Sequence, residues 1–175
     1  MVPMGRRAVR DTEALGRIEV SAGAFTIRRA VRGDVGQIVE LLAADQLGRH
    51  RDGGDLAPYH AAFEQIDADP AQLLVVLADR HDRVVGTLQL TTIPGLARRG
   101  ALRAQIEAVR VAESLRGQGI GARMLTWAID EAARRGCVLV QLTSDKRRPE
   151  AHRLYERLGF TASHEGFKRQ LTQSP

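Results

Sequence analysis

Six residues, Arg116-Gly117-Gln118-Gly119-Ile120-Gly121, stand between an apolar stretch ending at Val111 and an amphipathic stretch running from about 120 to 135. Glycines at 117, 119 and 121 remove the Cβ atoms that bar positive φ, so the chain there can turn from strand into helix with its amides facing one point. The helix that follows adds the partial positive charge of its N-terminus, and Arg116 adds a formal charge. Such a turn suits a pyrophosphate.

Three phosphate-binding patterns compete for the run. The P-loop fails, because Ala122-Arg123-Met124 follows where Gly-Lys-Ser/Thr is required. The dinucleotide fingerprint is met in its Gly/Ala variant by Gly117, Gly119 and Ala122, with Asp145 near the place of a ribose-binding acid. Spacing leaves that pattern open. Length argues against it, since a doubly wound domain begins with this turn and only one further helix is readable after Cys137. The third pattern, Arg-x-x-Gly-x-Gly, is matched by Arg116, Gly119 and Gly121. It resembles the acyl-CoA-binding turn of the GNAT superfamily of N-acetyltransferases, in the manner of its single-domain bacterial members. The resemblance extends from about residue 25 to 172. Ile106 to Val111 looks like the family's central strand, Gly119 to Arg135 like its cofactor helix, and Arg148 to Phe160, with Leu154-Tyr155-Glu156-Arg157-Leu158-Gly159-Phe160, like its last helix.

Periodicity supplies the rest of the frame. Phe25 to Ala30 reads as an edge strand, and Asp34 as the cap of a helix carrying Ile38, Leu41 and Leu42 at helical spacing. Gly48 to Ala57 reads as a mobile lid, and Tyr59 to Ile66 as a short helix before the Asp69-Pro70 turn. Gln72 to Ala78 and Val84 to Leu90 form a hairpin about Arg80-His81-Asp82, and Arg103 to Val111 is the next strand. Val138 to Leu142 is an apolar run suited to a strand buried on both faces, and a helix runs from Pro149 to its stop at Gly159. Hairpins followed by one βαβ crossover predict an α+β fold, a mixed, mostly antiparallel central sheet with helices on both faces. Residues 1–23, with scattered arginines and little periodicity, read as a flexible lead, and 24–173 as one domain.

Composition narrows the function. The single cysteine, Cys137, excludes an intrachain disulfide and a redox pair, and His50, His60, His81 and His164 lack metal-ligand spacing, so no metal is expected. No apolar run approaches a membrane span and no secretory signal is readable, which predicts a cytoplasmic protein. The net charge of +5 suits a polyanionic cofactor and also nucleic acid, but with 4% aromatic residues no base-stacking surface is readable.

The resemblance implies acetyl-CoA as cosubstrate and a primary amine as acceptor. It implies a diphosphate held by Arg116, Gly117, Gln118, Gly119, Ile120, Gly121 and Ala122, and a pantetheine arm along Val109, Arg110 and Val111. A backbone N–H near Val109 takes the role of oxyanion donor. Glu107 is the candidate base or ammonium-holding group; by strand alternation it shares a face with Val109 unless a bulge intervenes, and the alternative is a solvated or salt-bridged strand residue. Tyr155 matches the tyrosine that protonates the departing thiolate, a role suited to a phenol of pKa about 10. It also falls on the apolar stripe Ala151, Leu154, Tyr155 and Leu158, where ordinary packing would place it. His152, one turn away, reads as surface or supporting. The sequence departs from the family pattern at two points: Ser144-Asp145-Lys146 stands where many members have an asparagine, leaving Ser144 or Lys146 to contact the arm, and Glu113 replaces a proline.

Leu47 to Ile66, Thr91 to Arg99 and Ala162 to Lys168 are the acceptor-reading segments, with Asp52, Asp55 and Glu64 as acids that could draw in a cationic amine or simply solvate a loop. Two rivals stand beside an N-acetyltransferase: an acetyl-CoA-binding regulatory module without turnover, and an acetyltransferase acting on aminoacyl-tRNA through the basic surface. A homodimer is compatible with the family.

Overall fold

The computed structural model describes residues 13–44 and 52–171. It contains two compact units, residues 1–142 and 143–175 as far as they are described. The first holds a six-stranded sheet in chain order: β1 (Ala14–Val20), β2 (Gly23–Arg29), β3 (Gln72–Ala78), β4 (Val84–Ile93), β5 (Arg103–Val111) and β6 (Leu139–Leu142). Every neighbouring pair is antiparallel except β5–β6, which is parallel and joined by a helical crossover. Its helices are α1 (Val35–Ala43), α2 (Ala57–Ala68), a single turn α3 (Ala97–Gly100) in which Arg98 and Arg99 are left-handed, and α4 (Ile120–Arg134).

The two faces of the sheet follow from strand alternation. Leu74 and Val76 of β3 pack with Ala30, Val35, Ile38, Val39, Phe63 and Val84 under α1 and α2. Leu77 points the other way, toward α4, where Gly86 allows close approach: a Cβ at residue 86 would lie 3.1 Å from Met124 Sδ, 3.1 Å from the Arg110 carbonyl oxygen and 3.3 Å from Leu77 Cβ. Leu73, Leu88, Leu90, Ile106, Met124 and Leu125 are fully buried, each contributing about 1.5–3 kcal/mol. This is the expected α+β architecture, with helices on both faces.

Asp79 closes the β3–β4 hairpin by accepting the amides of His81 (2.8 Å) and Arg83 (3.0 Å), and Asp82 takes the left-handed position at φ 58°. Asp34 stands before α1, yet its carboxylate does not cap that helix. It accepts two hydrogen bonds from the buried Arg28 guanidinium (2.7 and 3.0 Å) and one from the Val31 amide (2.8 Å). Arg28 also reaches Asp82 at 3.0 Å, so a cation sunk into the sheet faces two carboxylates.

Three sequence expectations are corrected. Residues 1–12 of the flexible lead lie outside the described residues, but 14–20 form β1, paired with β2. Only Ile18 of that strand is buried, which is why its pattern is weak; the Trp127 indole N–H donates to the Leu15 carbonyl at 3.3 Å and covers Gly16, where a Cβ would come within 2.8 Å of it. The β2 strand is consequently interior and not an edge. The β6 strand is half-buried along its length rather than buried on both faces, because it is the sheet's edge. Of the lid and acceptor segments read at 47–57, residues 45–51 lie outside the described residues. The neighbouring acids have structural partners: Asp55 accepts the Ala57 amide at the start of α2, and Glu64 pairs with Arg32.

The second unit, taken by itself, is α5 (Pro149–Arg157) followed by irregular chain to Leu171. Among the described residues no helix is long and apolar enough to cross a membrane.

Candidate functional site

The turn at 116–121 adopts the conformation its glycines permit. Gly117 (φ 76°) and Gly119 (φ 78°) are left-handed, and Gly119 leads into α4, its carbonyl accepting the Arg123 amide at 3.1 Å. Nothing lies within 4 Å of a Cβ built at either position, so backbone conformation and not space demands glycine there. Gly121 has ordinary helical φ, and its Cβ would stand 3.9 Å from Val111 Cγ2. Among the described residues, none of the amides from Gly117 to Ala122 donates to a backbone carbonyl. Six consecutive N–H groups without a backbone acceptor at a helix start make this turn a candidate anion cup. Arg116 is exposed and donates through Nε to the Val111 carbonyl (3.3 Å), leaving its outer nitrogens at the rim; Gln118 ties back to the Ser114 carbonyl at 3.2 Å. A cleft of about 240 Å³ opens beside the cup, between α1 and the end of β5, lined by Glu40 and Glu113 together with Arg116.

β5 leads into this cup with a free edge. β6 pairs only with Arg103 to Ile106, so among the described residues no strand covers the outer edge of β5 from Glu107 to Val111. Within the same stretch β5 carries a bulge. Gln89 faces Glu107 and Thr87 faces Arg110, two steps on β4 against three on β5, and Ala108 absorbs the extra residue at φ 53°. A left-handed alanine costs about 1 kcal/mol or more and is held only by its surroundings.

The bulge reverses the alternation. Glu107 and Arg110, not Glu107 and Val109, project from one face of the sheet, the face on which α1 and α2 lie. The exception attached to the shared face of Glu107 and Val109 is thus the case that forms: the extra residue shifts every side chain beyond it. Arg110 turns its Nη1 onto the Val109 carbonyl at 2.8 Å. Glu107 is exposed and has no hydrogen-bond or ionic partner among the described residues, an environment that fits a solvated strand residue as well as a group open to substrate.

Ser144, Lys146 and Tyr155 belong to the second unit. Ser144 Oγ is buried without a hydrogen-bond partner, and Lys146 makes an exposed 3.7 Å pair with Glu165. Asp145 is fully engaged with Arg147, accepting its amide at 2.9 Å and its guanidinium at 3.0 Å, which holds the Asp145 carboxyl well below the ordinary carboxylate range. His152 Nε2 donates to the Asp145 carbonyl at 3.0 Å and so ties that loop to α5.

Tyr155 closes α5 through a Schellman motif. The Phe160 amide donates to the Tyr155 carbonyl and the Gly159 amide to Glu156, each at 3.0 Å, with Gly159 left-handed at φ 85°. The Tyr155 and Phe160 rings meet edge to face, centroids 6.0 Å apart. The Leu-Tyr-Glu-Arg-Leu-Gly-Phe signature thus has a structural basis of its own, and it fixes where the phenol stands within its unit.

The sequence profile of the acetyltransferase (GNAT) family matches residues 36–160. The aminoalkylphosphonate N-acetyltransferase of Salmonella typhimurium strain LT2 is 36% identical over 95 residues, which are 54% of this chain and 61% of that protein. The match thus spans about three fifths of that relative's length. A crystal structure from Bacillus halodurans, described as a transcriptional regulator, is 47% identical, with a TM-score of 0.81 over 84% of this chain and 99% of its own. A crystal structure from Clostridium acetobutylicum described as a predicted acetyltransferase with acetyl-CoA, 18% identical, shares the fold at a TM-score of 0.66 over 83% of this chain and 96% of its own.

Proposed function

Since the chain belongs to the acetyltransferase (GNAT) family, whose members use acetyl-CoA, we propose that it transfers an acetyl group from acetyl-CoA to a primary amine. The observation that carries the proposal is the uncovered edge of β5, Glu107 to Val111, running directly into the cup of unpaired amides at 117–122. The orphaned Ser144 hydroxyl is a second fit to a polar ligand.

In this reading the cup and Arg116 hold the diphosphate by charge-assisted hydrogen bonds. Val109, Arg110 and Val111 offer backbone groups to the pantetheine arm, and Ser144 or Lys146 is the further candidate for holding it. The cosubstrate supplies an electrophilic thioester carbonyl and a thiolate leaving group. The Val109 N–H stabilises negative charge developing on the carbonyl oxygen. Glu107, unpaired and exposed, holds the incoming ammonium and takes its proton, directly or through water. Tyr155 donates a proton to the departing sulfur, its ring held in place by Phe160.

Thiol release with a panel of amines tests this. Tyr155→Phe is expected to slow turnover more than it weakens acetyl-CoA binding; full turnover in that variant removes Tyr155 as the acid. A second reading, a regulatory module that binds acetyl-CoA without turnover, is favoured by the description of the 47% identical relative as a transcriptional regulator. Thermal stabilisation by acetyl-CoA with no thiol release on any amine selects it over catalysis.

A further inference from the structure

One row of side chains crosses four strands of the sheet on the same face as Glu107. Gln72 of β3 pairs with Thr91 of β4, Thr91 with Gln105 of β5, and Gln105 with Gln141 of β6. Gln89, the direct partner of Glu107, stands in the adjacent row. These side chains bond to one another: Thr91 Oγ1 and Gln89 Nε2 donate to Gln72 Oε1 (2.7 and 2.9 Å), and Gln141 Nε2 donates to Gln105 Oε1 (2.7 Å). All five are half-buried, on a face that α1 and α2 cover with apolar packing only further along β3 and β4.

The bonds among them leave specific capacity unused. Gln72 and Gln105 keep their amide N–H groups, and Gln89 and Gln141 keep their carbonyl oxygens, without other partners among the described residues. Donors and acceptors therefore alternate across the row beside one exposed carboxylate. Hydroxyl groups, which donate and accept at once, complement that array, and the row itself is built of neutral side chains. Arg103 and Arg110 stand on the same face on either side of Glu107, so 2-aminoethylphosphonate is the competing acceptor to be separated from a hydroxyl-bearing amine.

We infer that the Gln72–Thr91–Gln105–Gln141 row is an acceptor subsite that selects a small primary amine with a neutral, hydroxyl-bearing body, its ammonium at Glu107. The inference rests on the acetyl-transfer reading above. Its test compares kcat/KM in thiol release for 2-amino-1,3-propanediol, n-propylamine and 2-aminoethylphosphonate at fixed acetyl-CoA. The diol is expected to exceed each of the others by about tenfold, the effect of two neutral hydrogen bonds. Gln105→Leu and Gln72→Leu are expected to cut the diol-to-propylamine ratio by about tenfold, with thermal unfolding confirming that the variants fold. A wild-type ratio near one, a preference for the phosphonate, or a ratio unmoved in both folded variants overturns the subsite while leaving acetyl transfer standing. Turnover on other amines of the panel but on none of these three overturns the subsite alone, whereas calorimetric binding of acetyl-CoA with no thiol release on any amine of the panel overturns the transferase reading and the subsite together.

Discussion

Two of the charges on the sheet are treated oppositely. At one end Arg28, 6% exposed, is enclosed by Asp34 and Asp82, and hydrogen bonding to Asp34 raises its pKa against the opposing effect of burial. Beside the free edge of β5, Glu107 is exposed, its cross-strand neighbour is the neutral Gln89, and it has no hydrogen-bond or ionic partner among the described residues. A charge that holds the fold is satisfied on every side, whereas a charge available to a substrate is left unsatisfied, and an exposed site makes that inexpensive.

The contrast is broken most severely by Asp34→Ala, which strands the buried Arg28 guanidinium and releases the Val31 amide. The expected loss is about 3 kcal/mol or more in urea unfolding, against within about 1 kcal/mol for Asp82→Ala, whose side chain is 76% exposed. Glu107→Gln is expected to behave inversely, lowering turnover about a hundredfold while stability changes by less than about 0.5 kcal/mol. If Glu107→Gln instead destabilises as Asp34→Ala does, the distinction between the two charges is gone.

Two glycines sharpen the same distinction. Gly86→Ala forces a Cβ against the Arg110 carbonyl and Met124, for an expected loss of about 1–3 kcal/mol. Gly121→Ala has room and ordinary helical φ, so it is expected to keep or slightly raise stability. Weaker acetyl-CoA binding in a stable Gly121→Ala, measured by calorimetry, would place the ligand against that turn. The smallest effect concerns Asp79. Burial opposes ionisation there, but hydrogen bonds from Arg83 and His81 outweigh it and hold the carboxyl below its ordinary value. A depressed carboxyl stabilises the fold above about pH 4 and loses that contribution as pH falls further. Asp79→Asn should therefore flatten the acid side of a melting-temperature profile.

The turn, α4, α5 and strands β3 to β5 were legible because each carries its own local signal: glycines at a strand-to-helix junction, amphipathic spacing, Pro149 and Gly159 at the helix ends. What was not legible depends on partners distant in the chain. β1 exists through pairing with β2 and the cover of Trp127, 112 residues from Leu15. The Ala108 bulge has no residue signature, since alanine has no preference for left-handed φ, so the side shared by Glu107 and Arg110 could not be derived from alternation. Asp34 had the residue type and position of a helix cap, but Arg28 and the Val31 amide claim its carboxylate. The row of glutamines exists only once four strands are in register.

Trp127 is the chain's one tryptophan, and its indole lies on the backbone of β1. Its fluorescence is thus a native optical gauge of whether that first strand is seated. Peeling β1 away would expose the ring to water and shift its emission to the red, with no label required, so local opening at this edge can be separated from global unfolding in a single titration.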